Sequence, residues 1–78
     1  ETDDMEADRV LIFTSGNVLH ILNAPMNAVA SWYTMDGRLC GSRILHSEEV
    51  EWELPEGIYI VRVVSPSLQN TVRVHSSR

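Results

Sequence analysis

The stretch LPEGIYIVRV, positions 54 to 63, constrains the fold of this chain more than any other. Pro55 sets φ for a turn, and Gly57 is free to take a positive φ that other residues resist. Directly after this turn comes an apolar, β-branched run that extends to Val64 and is broken only by Arg62. A run of this kind predicts a strand buried on both faces or central in a sandwich sheet.

The remainder of the chain repeats the arrangement on a shorter scale. Runs at 9–14 (RVLIFT), 18–23 (VLHILN), 28–35 (AVASWYTM), 38–46 (RLCGSRILH), 49–54 (EVEWEL), 57–65 (GIYIVRVVS) and 69–75 (QNTVRVH) read as strands. Turn residues separate them: Ser15-Gly16-Asn17, Pro25, Asp36-Gly37 and Pro66-Ser67. Asp36-Gly37 predicts a two-residue type I′ hairpin loop. Gly41 predicts a β-bulge, because the apolar phase shifts between Leu39 and Ile44. Alternation is cleanest at 49–54, where Val50, Trp52 and Leu54 share one face and Glu49, Glu51 and Glu53 the other. No segment carries the helical i, i+3, i+4 pattern. About seven short strands at regular spacing predict an all-β fold, an antiparallel β-sandwich, with a small open barrel as the alternative. The expected inward set is Val50, Trp52, Leu54, Tyr59, Val61, Val63, Val72 and Val74, with Trp32 and Tyr33 also in the core.

Charge divides the chain in two. Five of the eleven acids, Glu1, Asp3, Asp4, Glu6 and Asp8, fall in the first eight residues, while all six basic residues are arginines at position 9 or later. Residues 1–8 therefore read as a solvated acidic linker and 9–78 as one small, formally neutral domain. A start at Glu1 suggests a piece of a longer protein. No basic stripe exists to displace counterions from phosphates, so nucleic acid is not an expected partner. No apolar run approaches the ~20 residues of a membrane span. Cys40 is the single cysteine, which rules out an intramolecular disulfide and predicts a small buried apolar side chain.

Catalytic patterns are missing. His20, His46 and His75 fall on three predicted strands without a partner at metal-ligand spacing. Glu51 and Glu53 point the same way but are too far apart to share a metal without further ligands. The turn serines Ser15, Ser47 and Ser67 suit backbone capping, and there is no GxSxG elbow or Gly-rich phosphate loop. The expectation is a protein that is not an enzyme and needs no cofactor.

Three blocks resemble the C-terminal sorting domains of the Bacteroidetes type IX secretion system. LPEGIYIVRV is similar to the family's LPxGxYxVxV signature through Leu54, Pro55, Gly57, Tyr59, Val61 and Val63. SWYTMDGRLC resembles its Tyr-to-Gly-Arg block through Tyr33, Gly37, Arg38 and Leu39. TVRVHSSR resembles its terminal basic strand through Val72, Arg73, Val74 and Arg78. The family's Pro-Asn-Pro opening is absent, and His75-Ser76-Ser77 replaces its Lys- and Val-rich ending. The resemblance implies an Ig-like sandwich that carries a larger protein through the periplasm to the cell surface. Its implied partners are the translocon or shuttle proteins and a surface sortase. It also implies a recognition surface formed or supported by Gly57, Tyr59, Thr71, Val72, Arg73, Val74 and Arg78. An Ig-like spacer or adhesion module of a secreted protein is the alternative.

Overall fold

The computed structural model describes residues 10–66 and 68–77. The acidic linker, Ser67 and Arg78 lie outside the described residues. Seven strands form in chain order: β1 (Leu11–Ser15), β2 (Val18–Leu22), β3 (Val29–Thr34), β4 (Leu39–Ile44), β5 (Glu49–Glu53), β6 (Gly57–Ser65) and β7 (Leu68–Ser76). They make two antiparallel sheets, β1-β2-β5 and β4-β3-β6-β7. The fold is an Ig-like antiparallel β-sandwich; the strand spacing predicts the antiparallel sandwich, and the family resemblance implies its Ig-like form.

Period-two alternation builds the core. On the three-stranded sheet, Leu19 and Ile21 point inward and are fully buried, with Ile12, Val50 and Trp52 packed beside them. On the four-stranded sheet, Ala30, Tyr59, Val61, Val63 and Val74 supply the facing layer. Val50, Trp52 and Val72 lie on the expected face but are only half-buried. Val50 and Trp52 belong to an edge strand, and so does Val72, which leaves each without a neighbour on one side. Tyr33 departs from expectation: it pairs with Ile60 and Leu39 on the outer face of the four-stranded sheet.

The two tryptophans bridge the sheets on the β4–β5 side. Their ring centroids lie 5.2 Å apart, and the Arg43 guanidinium sits 4.8 Å from the Trp52 ring centre, a cation–π contact. Gly41 is required here. A Cβ on it would come within 2.5 Å of the Trp32 ring, so any side chain would displace the indole. The expected bulge occurs at this point, since Trp32 pairs with Gly41 but Tyr33 with Leu39, leaving Cys40 as the extra residue. That corrects the expectation for Cys40. It is exposed, because it occupies a bulge on an edge strand.

The β3–β4 turn also differs from expectation. Thr34 N–H donates to Arg38 C=O and Gly37 N–H to Thr34 C=O, both at 2.9 Å, and Gly37 alone has positive φ, at 93°. This is a three-residue loop, Met35-Asp36-Gly37, with the glycine in the bulge position, rather than a type I′ turn. The Thr34 hydroxyl donates to the Asp36 carboxylate and holds its pKa below the ordinary value. A side-chain acceptor on the turn thus favours the longer loop.

The β1 and β7 edges close one side of the sandwich. Thr14 Oγ1 donates to His75 C=O at 2.6 Å, Asn70 Nδ2 to Val10 C=O at 3.3 Å, and Ser77 N–H to Gly16 C=O at 2.9 Å. Ser76 is completely buried, and its hydroxyl donates to Leu54 C=O at 2.9 Å.

Candidate recognition surface

Every fixed residue of the LPEGIY segment has a folding role. Leu54 plugs one end of the core at 2% exposure. Its N–H donates to Asn17 C=O and its C=O receives the Ser76 hydroxyl, so it ties both sheets together. Gly57 has φ 150°, a conformation that favours glycine, while a Cβ there would meet only ordinary contacts with the Tyr59 ring. Conformation rather than space demands the glycine. Tyr59, near the start of β6, donates its hydroxyl to Pro55 C=O at 2.9 Å. This is the tyrosine corner of Ig-like sandwiches, a Tyr at the strand E–F corner bonded to backbone a few residues upstream.

Burial raises the Tyr59 pKa above 10.0, and the charge of Cys40 adds to the effect. The folded state therefore keeps a proton that the unfolded chain releases. The stabilisation is complete below about pH 10 and is lost as pH rises through the folded-state pKa. We expect Tyr59→Phe to cost about 1–2 kcal/mol at pH 8 through the lost hydrogen bond. It should also flatten the alkaline fall in the urea midpoint. A midpoint that falls equally in both proteins between pH 8 and 11 would contradict this.

The expected recognition residues divide between the two faces of one sheet. Tyr59, Val72 and Val74 point into the sandwich and support it from within. Gly57 shapes the turn. Thr71 and Arg73 point to solvent, and Arg78 lies outside the described residues. Sequence reasoning passed over Arg62, which pairs with Thr71 on the same solvent face. The alternation of Val61, Arg62 and Val63 carried that signal.

The outer face of the four-stranded sheet thus forms a continuous surface. Its cross-strand rows read Ile44, Val29, Val64 and Gln69, then Ser42, Ser31, Arg62 and Thr71, then Leu39, Tyr33, Ile60 and Arg73. Ile58 and His75 complete it. Arg62 and Arg73 are exposed, neither forms an ion pair among the described residues, and these rows contain no carboxylate. Val29, Leu39, Ile44 and Ile58 are exposed large apolar residues beside them.

The opposite face is acidic. Glu49, Glu51 and Glu53 line the outside of β5. His20 stacks on Phe13 at 4.9 Å, and its Nδ1 lies 3.2 Å from Glu51 Oε1. His46 is exposed in the β4–β5 connection and His75 lies on the far sheet, so the histidines do not converge. Among the described residues, no group of three His, Cys, Asp or Glu could hold a metal ion. The surface depressions among the described residues are open, one of them lined by Asn17, Glu53, Leu54, Pro55 and Glu56. No family model matches the sequence, and a search of curated proteins finds no similar chain.

Proposed function

We propose that this domain is a C-terminal sorting signal of the type IX secretion class, directing a larger protein across the outer membrane to the cell surface. One observation carries the reading. The three blocks of resemblance fall on a single sheet: SWYTMDGRLC supplies most of β3, the turn after it and the first two residues of β4, LPEGIYIVRV supplies most of β6, and TVRV lies in β7. The three-stranded sheet contributes no block. A signal read as a folded surface needs such contiguity, and the solvent face with Arg62, Thr71 and Arg73 offers it. Translocon or shuttle proteins bind this face, and a surface sortase acts on the chain beside the domain.

A reporter fusion tests the proposal. Residues 1–78 joined to the C-terminus of an inert periplasmic protein, in a host with this secretion system, should bring the reporter to the surface. Arg62→Gln with Arg73→Gln should reduce surface reporter at least about tenfold, the size of effect expected when two charge-assisted contacts are lost. Glu49→Gln with Glu53→Gln on the opposite face should not. A reporter left in the periplasm by the unaltered domain would overturn the reading.

A further inference from the structure

The two outer faces of the sandwich are complementary in charge and in apolar character. We propose that the domain self-associates head to tail, with the basic face of the four-stranded sheet docking on the acidic face of the three-stranded sheet of a second copy. This goes beyond the sorting role and does not depend on it.

Three observations commit the surface to a second copy. The first is charge: Glu49, Glu51 and Glu53 stand outward on one sheet and Arg62 and Arg73 on the other. Glu49 and Glu53 have no ion pair among the described residues, and neither do the arginines. The second is spacing. Alternate glutamates on a strand are about 6.7 Å apart, and Arg62 and Arg73, diagonal across adjacent strands, are separated by about 7–8 Å. Two arginines can therefore meet two successive glutamates in one register: one forms a planar carboxylate–guanidinium pair with Glu49 or Glu53, and the other contacts Glu51, whose Oε1 already lies 3.2 Å from His20 Nδ1. The third is apolar matching. Leu11 and Phe13 are exposed on the same face as the glutamates, across β2 from them, and Val29, Leu39, Ile44 and Ile58 on the same face as the arginines. Apolar groups that close around ion pairs exclude the water that weakens exposed pairs.

Size sets the strength. The smaller face comprises three strands of five residues each, roughly 14 Å by 17 Å at ordinary strand spacing. The total buried area then falls below the ~1,200 Å² that marks weak, transient complexes. The contact is heterologous, since each copy uses one face to give and the other to receive, so it extends open-endedly rather than closing as a dimer. The five acids of residues 1–8 repel between copies. At about 0.15 M salt, screening over ~8 Å suppresses that repulsion more than the short contacts.

Charge exchange tests the pairing. The full 78-residue chain, 8.8 kDa as a monomer, should show a weight-average mass rising by about 1.5-fold or more between roughly 0.05 and 2 mM in sedimentation at 0.15 M salt, as a weak interface requires. Arg62→Glu with Arg73→Glu makes both faces acidic, and Glu49→Arg with Glu51→Arg and Glu53→Arg makes both basic. Each variant alone should remain monomeric, and an equimolar mixture should associate at least as strongly as the unaltered chain. If a reversed variant fails to fold by circular dichroism, glutamine at the same positions replaces it, with association expected to fall and mixing not to restore it. A monomer at every concentration would overturn the proposal. So would association that survives charge reversal in either variant.

Discussion

Leu19→Ala should lower the free energy of unfolding by about 2–5 kcal/mol, the range for truncating a fully buried leucine that leaves a cavity. Leu19 has no exposed surface and lies between Thr14 and Trp52 in the centre of the three-stranded sheet. Both neighbouring strands fix its backbone, so the site has little freedom to collapse around the missing methyl groups. A domain of 78 residues carries roughly 4–12 kcal/mol of total stability. One substitution can therefore remove much of it. Phe13→Ala, one strand away on the solvent face at 42% exposure, is the control and should cost under ~1 kcal/mol. Urea unfolding followed by tryptophan fluorescence measures both. Equal shifts in the two midpoints would contradict the assignment of Leu19 to the inward face.

Local patterning carried the fold further than it carried the long-range contacts. The strand of LPEGIYIVRV begins and ends where the Pro-x-Gly turn and the next proline imply, from Gly57 to Ser65. The alternation of EVEWE correctly placed three glutamates in solvent. Period-two signals are local, so they survive in a bare sequence. The inward alanines did not show themselves: Ala24, Ala28 and Ala30 are buried, yet a small side chain adds little to an apolar pattern. Ser76 was invisible for a different reason. A serine near a chain end reads as solvated, and only the approach of Leu54 C=O from 22 positions away makes it a buried donor. The Tyr59 corner was within reach, since Tyr follows Pro55 by four residues. The candidate surface was legible in the same uneven way. TVRV announced Arg73 as outward and the valines as inward, and the short Pro66-Ser67 turn implies a hairpin of β6 with β7, as observed, but the register of that hairpin is encoded in neither strand alone. Arg62 joins the surface only through its register with Thr71.

Removal of residues 75–78 should destabilise the domain by about 2–5 kcal/mol, although the segment carries no apolar core residue. Three hydrogen bonds at roughly 1 kcal/mol each, together with the end of the β6–β7 ladder, account for most of this. Thr14 Oγ1 loses His75 C=O, Leu54 C=O loses Ser76 Oγ, Gly16 C=O loses Ser77 N–H, and β6 loses its ladder partners at Ile58 and Gly57. The Leu54 carbonyl is the costliest to strand, because Leu54 is buried and an unpaired buried acceptor bears its full desolvation penalty. Two of the losses, at Thr14 and Gly16, fall where β1 meets β7, so the closed side of the sandwich loosens there. This bears directly on function. An export defect after deletion of 75–78 reports unfolding as readily as a lost signal. Deletion of Arg78 alone separates the two, since the bonds named above are made by His75, Ser76 and Ser77. Thermal unfolding of the two truncations should show a drop of roughly 10 °C or more for the longer deletion, at about 4–8 °C per kcal/mol in a domain of this size. It should show almost none for the shorter one. If export is lost with Arg78 while the melting temperature holds, the basic terminus belongs to the signal. A longer deletion that melts with the intact domain would show that the sandwich holds together without these contacts.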